Sequence, residues 1–263
     1  MATLEAHLRA RREAGHKLLV PYVTGGLGSD WLDVVHAVAD AGADAVEIGI
    51  PFSDPVIDGV TIQEASHRAL LQGATPAGIV AAVGTDNFAI PLAVMTYANP
   101  VAHMGFERFA AALAGARISG AIIPDLPLDE LDGWADAADA SGIETVLLAA
   151  PTTPDDRLRA ICERSRGFLY GVALMGVTGA RAHLAAQASE MGRRCKAVTD
   201  LPVLLGLGIS TAEQAVEAST YADGVIVGSA LVARLLAGGG PEAAHAFVRE
   251  LRVALDTAKQ PAG

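Results

Sequence analysis

Eight short apolar runs, each followed by a stretch of helical period, most restrict the folds open to this chain. The runs are 18–23, 44–49, 91–97, 120–123, 144–149, 168–174, 202–206 and 223–227. Helical patterns lie near 29–41, 61–72, 76–83, 106–115, 128–140, 155–164, 181–194, 211–218 and 242–258. Trp31, Val34, Val35 and Val38 show the i, i+3, i+4, i+7 stripe of a helix laid on a sheet. Strands that return through helices form a parallel sheet. Eight such units favour a closed (β/α)8 TIM barrel over an open doubly wound sheet, the alternative that pattern alone leaves standing. A length of 263 residues suits one α/β domain spanning 1–263, with an N-terminal helix before the first strand and a C-terminal helix closing the barrel.

Composition removes several function classes. With 19 basic against 30 acidic residues the net charge is −11, which offers no footprint for nucleic acid. An anionic ligand must therefore be held by local donors rather than by a long-range positive field. The first seven residues lack an apolar signal core, and no uncharged apolar run reaches the roughly 18 residues a spanning helix needs, so no membrane partner is expected. Cys162 and Cys195 stand far apart without a CxxC, which fits a reducing cytoplasm. The histidines (7, 16, 36, 67, 103, 183 and 245) show no metal-ligand spacing, so no metal is expected. Ser53 and Ser229 lack a GxSxG elbow, and no lysine falls in a predicted strand, which argues against serine-hydrolase and Schiff-base chemistry.

Glu47 is the most informative residue. It interrupts Asp44-Ala45-Val46-Glu47-Ile48-Gly49, otherwise a buried strand. Strand alternation places Ala45, Glu47 and Gly49 on one face and Val46 and Ile48 on the other. If the second face meets the helices, Glu47 points into the barrel near its C-terminal end. Poor solvation there raises a carboxyl pKa and makes proton transfer near neutral pH possible. The competing explanation is a glutamate satisfied by a hidden basic partner. The following segment, Pro51-Phe52-Ser53-Asp54-Pro55-Val56-Ile57-Asp58-Gly59, is dense in turn residues and falls where barrel enzymes build their sites. Either Asp54 or Asp58 could face Glu47 as a second carboxylate, and composition does not choose between them.

Gly176-Val177-Thr178-Gly179, Gly206-Leu207-Gly208 and Gly228-Ser229 follow the last three predicted strands. Loops after strands seven and eight of such barrels often cradle a phosphate on backbone N–H groups and a helix N-terminus. Ser229 opens a helical pattern that Gly238 ends. Tyr22, Tyr97 and Tyr170 lie in or beside strands, as core packing or as walls for a flat ring.

These segments resemble a known family. Val46-Glu47-Ile48-Gly49-Ile50-Pro51-Phe52-Ser53-Asp54-Pro55, running on to Asp58-Gly59, is similar to the signature of the tryptophan synthase alpha chain family. Pro21-Tyr22-Val23-Thr24, Met95-Thr96-Tyr97-Ala98-Asn99-Pro100, Pro124-Asp125-Leu126-Pro127 and the glycine loops follow in family order. The resemblance implies a TIM-barrel lyase that cleaves indole-3-glycerol phosphate by a retro-aldol route, giving indole and glyceraldehyde 3-phosphate. It implies Glu47 as the main acid/base and Asp58, rather than Asp54, as the acceptor of the indole N–H. Gly179, Gly208, Gly228 and Ser229 become the phosphate donors. Tyr22, Met95, Tyr97, Ile122, Tyr170 and Leu207 become the pocket, and Thr178 part of a mobile lid. The resemblance implies no cofactor on this chain, since pyridoxal phosphate belongs to a separate beta chain. It also implies docking on that beta chain as an alpha2-beta2 complex, with Asp54 and Asp125–Pro127 near the contact. Val60, Leu207 and Ala173 stand where the family more often has Pro, Phe and Ser. A free-standing lyase and a non-catalytic phosphate-binding barrel are the rival readings.

Overall fold

The computed structural model describes residues 3–172 and 181–258. Eight parallel strands are β1 (Leu18–Thr24), β2 (Val46–Gly49), β3 (Leu92–Met95), β4 (Gly120–Ile122), β5 (Glu144–Ala149), β6 (Leu169–Val172), β7 (Val203–Gly206) and β8 (Gly224–Val227). Each pairs with the next and β8 pairs with β1, so the sheet closes into the expected barrel and the open-sheet alternative falls.

Strand alternation divides the core into two shells. Leu18, Val20, Ala45, Ala93, Ile122, Val146, Tyr170, Leu204 and Ile226 pack together inside the barrel. Leu19, Val23, Val46, Ile48, Val94, Ala121, Leu147, Val203, Leu205 and Val225 face the helices. Period-2 side-chain direction is the cause. It turns Glu47 inward, with its Cα in register with Tyr22 on one side and Ala93 on the other.

Several elements are shorter than their apolar runs. β3 stops at Met95 rather than residue 97, because Tyr97 becomes the N-cap of a helix, Ala98–Met104, that the periodicity does not predict. Pro100 is tolerated there because a proline in a helix's first turn removes no internal bond. β2 starts at Val46 rather than 44. Asp44 instead turns to the barrel floor, where Arg11 Nε, Arg252 Nη1 and the Leu19 N–H donate to its carboxylate at 2.6, 3.2 and 2.8 Å.

The N-terminal helix Leu4–Glu13 plugs that floor. Thr3 Oγ1 caps it by accepting from the Ala6 N–H at 3.2 Å, and Leu4 and Leu8 enter the interior shell. Gly120 leaves the space that Leu4 fills, since a Cβ there would meet Leu4 Cδ2 at 2.8 Å. The C-terminal helix Gly240–Thr257 completes the outer ring, burying Ala244, Phe247, Val248, Leu251 and Leu255. With floor and flanks sealed, the C-terminal ends of the strands are left to form a cavity. Among the described residues no helix is long and apolar enough to cross a membrane.

Candidate active site

The strands end in a cavity of about 390 Å³. β1 contributes Tyr22, β2 Glu47, β3 Met95, β5 Leu148 and β6 Tyr170 and Val172. Gly206, Leu207 and Gly208 enter from β7 and its loop, and Ile226, Gly228 and Ser229 from β8 and the helix after it. The β2 loop closes the rim with Ile57, Asp58 and Gly59, backed by Ile62. A mostly apolar hollow with a few convergent polar groups has the build of a small-molecule site.

Glu47 is 1 % exposed, and neither carboxyl oxygen has a hydrogen-bond partner. No Lys, Arg or His among the described residues lines the cavity, which removes the hidden-partner explanation. Burial and the negative charge of Asp58 push the Glu47 pKa up to about 8. A carboxyl at that value is protonated at neutral pH yet able to release its proton.

Asp58 reaches the cavity from a tight turn in which its N–H donates to the Pro55 carbonyl at 3.1 Å. Half-burial raises its pKa to about 6, with the nearby Tyr97 hydroxyl pulling the value down. Asp54 is exposed, accepts from the Ser53 hydroxyl at 2.6 Å and does not line the cavity. Geometry thus separates two aspartates that composition left equal. The remaining pair holds one carboxyl neutral and one ionised at the same pH, the arrangement by which two acids divide their work.

The other expected site residues divide into three sets. Tyr22, Met95, Tyr170, Leu207, Gly208, Gly228 and Ser229 surround the cavity. Tyr97 and Ile122 do not line it. Ile122 is fully buried in the interior shell. Tyr97 lies behind the rim, its hydroxyl accepting from the Ile57 N–H at 3.1 Å and its ring 5.1 Å from that of Phe52. Thr178 and Gly179 lie outside the described residues, as does Ala173.

Gly208 has φ +72°, a conformation that disfavours a side chain. The helix Ser229–Leu236 begins with Leu231 N and Val232 N donating to the Gly228 carbonyl. Amides before that first bond have no acceptor within the helix and are free for an anion. Leu148, Val172, Ile226 and Ile62 also line the cavity but were not singled out in the sequence. The signal for the strand residues was present: Leu148 and Val172 sit two positions beyond inward Val146 and Tyr170.

A family model described as tryptophan synthase alpha chain matches residues 8–259. The chain belongs to the tryptophan synthase alpha chain family. The tryptophan synthase alpha chain of Streptomyces coelicolor is 44% identical over 256 residues, covering 96% of this chain and 94% of that one. That of Thermobifida fusca is 42% identical and covers 97% of both. A solved structure of Mycobacterium tuberculosis tryptophan synthase superposes with a TM-score of 0.90 at 37% identity, covering 99% of this chain and 100% of that one. The Legionella pneumophila tryptophan synthase alpha chain gives 0.87 at 31% identity with 98% of both chains covered. The resemblance read from the motifs therefore holds over nearly the whole chain. The role of the tryptophan synthase alpha chain family is the lyase reaction that cleaves indole-3-glycerol phosphate.

Proposed function

We propose that this chain cleaves indole-3-glycerol phosphate to indole and glyceraldehyde 3-phosphate, with Glu47 moving the proton and Asp58 holding the ring. The observation that carries the reading is the unpartnered Glu47 carboxyl, neutral at pH 7, in one apolar cavity with a more acidic Asp58. Glu47 delivers its proton to the indole carbon bearing the side chain, which places positive charge on the ring. Asp58 accepts the ring N–H and stabilises that charge through a charge-assisted hydrogen bond. Glu47, now a carboxylate, assists removal of the proton from the neighbouring hydroxyl. As that O–H breaks, its electrons form the aldehyde carbonyl. The carbon–carbon bond cleaves and its pair returns to the ring.

The phosphate rests on backbone donors of Gly179, Gly208, Gly228 and Ser229. Tyr22, Met95, Tyr170 and Leu207 bracket the indole, and Thr178 is assigned to substrate binding by the family likeness. These steps call for no cofactor, and pyridoxal phosphate is assigned to the beta chain alone. We read residues 1–263 as one cytoplasmic barrel domain that docks on a tryptophan synthase beta chain in an alpha2-beta2 complex.

The deciding experiment is Glu47→Gln, which keeps shape and removes the proton. Cleavage of indole-3-glycerol phosphate should fall about 10²–10⁴-fold while the circular dichroism spectrum stays native. Retention of most activity rejects the mechanism. Strong stimulation of the wild-type chain by a beta chain supports the subunit, and vigorous turnover alone supports a free-standing lyase.

A further inference from the structure

Asp58 sits near the end of a loop running from Ile50 to Gly59, whose internal backbone bonds are short-range turns: Val56 N to Asp54 O at 2.9 Å and Asp58 N to Pro55 O at 3.1 Å. Turns alone leave such a loop mobile, so a carboxyl on it needs an outside anchor. Gln63 Nε2 holds the backbone by donating to the Asp58 carbonyl at 2.8 Å, and Tyr97 anchors the loop on the side of β3. The Tyr97 hydroxyl accepts from the Ile57 N–H at 3.1 Å, next to Asp58 in the chain, and draws the Asp58 pKa down. Its ring packs at a tilt against Phe52 near the loop's other end. Tyr97 is itself held: it is 5% exposed, two residues past β3, and caps the helix Ala98–Met104. The first amide of that helix, Ala98 N, donates to Asp125 Oδ1 at 2.8 Å.

We propose that Tyr97 is a positioning residue for the lyase reaction, holding the Asp58 carboxylate at the cavity rim, with Asp125 anchoring Tyr97 in turn. This deepens the proposed function and rests on its reading of Asp58 as the acceptor of the ring N–H. Family likeness puts Tyr97 on the pocket wall, whereas its contacts place it behind Asp58, where it acts through another residue. A hydroxyl that donates to a carboxylate favours the ionised form, and burial of Asp58 works against it. Among the described residues, the other titratable groups facing Asp58 are the Glu47 carboxyl and the Tyr22 and Tyr170 hydroxyls.

Tyr97→Phe keeps the ring on Phe52 and removes only the hydroxyl. The Asp58 titration is read directly by NMR on protein carrying ¹³C-labelled aspartate, with Asp58→Asn identifying the signal. Its midpoint should rise by about half a pH unit or more in Tyr97→Phe, and by less in Asp125→Ala. In the lyase assay kcat should fall about tenfold while KM changes by less than about threefold. In the Asp58→Asn background the same substitution should change kcat by less than about twofold, since a residue acting only through Asp58 has nothing left to position. An unmoved Asp58 midpoint overturns the proposal. So does an undiminished loss in the Asp58→Asn background, which would make Tyr97 a wall of the binding pocket. The NMR measurement uses no substrate, so a wild-type chain inert on indole-3-glycerol phosphate both alone and with a beta chain sinks the reaction assignment and leaves the Tyr97–Asp58 link to be judged by its own readout.

Discussion

The Tyr22 hydroxyl fills the place a side chain on Gly49 would take: a Cβ added there would overlap the phenol oxygen and its ring carbon. Tyr170 stands in the same relation to Gly206, where a Cβ would meet Cε1 at 2.6 Å and the hydroxyl at 2.8 Å. Both glycines lie two residues past the register partner of the tyrosine, Glu47 for Tyr22 and Leu204 for Tyr170. Each ring therefore leans over the end of the next strand and becomes a wall of the cavity. The absence of two side chains shapes the site as much as the presence of the tyrosines.

Gly49→Ala should therefore displace Tyr22 without straining its own backbone, since Gly49 is not in the left-handed region. A shift of about 1 Å in a wall costs on the order of 10²-fold in positioning, so kcat/KM should fall by about that factor. In a Tyr22→Leu background the added methyl should cost far less, because the overlapping phenol is gone. Steady-state kinetics on the four proteins test this, and equal losses in both backgrounds would refute the packing argument.

The pH–rate profile should be a bell. The working form has Glu47 protonated and Asp58 ionised. Activity is lost as pH falls through about 6, where Asp58 takes up a proton, and as pH rises through about 8, where Glu47 releases one. In Asp58→Asn the residual activity should lose its alkaline limb at lower pH, because the charge that helps hold the Glu47 proton is gone. An alkaline limb that stays in place would detach Glu47 from Asp58.

Glu47→Gln should stabilise the fold, and increasingly so at alkaline pH. The Glu47 pKa rises from about 4.5 unfolded to about 8 folded, so the folded state binds the extra proton between those values. Stability of the wild-type chain therefore declines as pH rises from about 4.5 through 8, by on the order of 3–5 kcal/mol at the alkaline end. Glutamine is exempt. Urea melts at pH 5 and pH 8.5 should show a gap between the two proteins that widens with pH, and a constant gap contradicts the reading.

Asp44→Asn should cost about 3 kcal/mol of stability with little effect on catalysis. The Asp44 side chain is fully buried, and Arg252, 3% exposed, also donates to the Lys17 carbonyl at 2.9 Å. Neutralising Asp44 leaves that guanidinium with less compensation in a dry place. Urea unfolding with a lyase assay separates the two effects. A kcat that falls with stability intact would argue that the floor communicates with the cavity.

Several features were legible in the sequence because they depend on local rules. Period-2 alternation turned Glu47 inward and Val46 and Ile48 outward, and eightfold repetition of strand and helix specified the barrel. The Glu47–Gly59 motif and the glycine loops pointed to the family. Sequence could not choose between Asp54 and Asp58 without that likeness, because both sit in turn chemistry four residues apart. The path of the folded loop sends one to solvent and the other to the cavity.

Other features depended on distance in space. Tyr97 reads as one more tyrosine beside a strand, and its task exists only because the β2 loop folds back across 40 residues to meet its hydroxyl. The Asp44–Arg252 pair joins positions 208 apart, and Leu4 enters the barrel floor opposite Gly120. By itself the sequence determined which face each strand side chain takes, since a backbone of fixed pleat allows only two. Which faces meet, and so which carboxyl stays dry, which stays charged and which tyrosine stands behind it, was decided only when the sheet closed and brought the ends of remote strands to one rim.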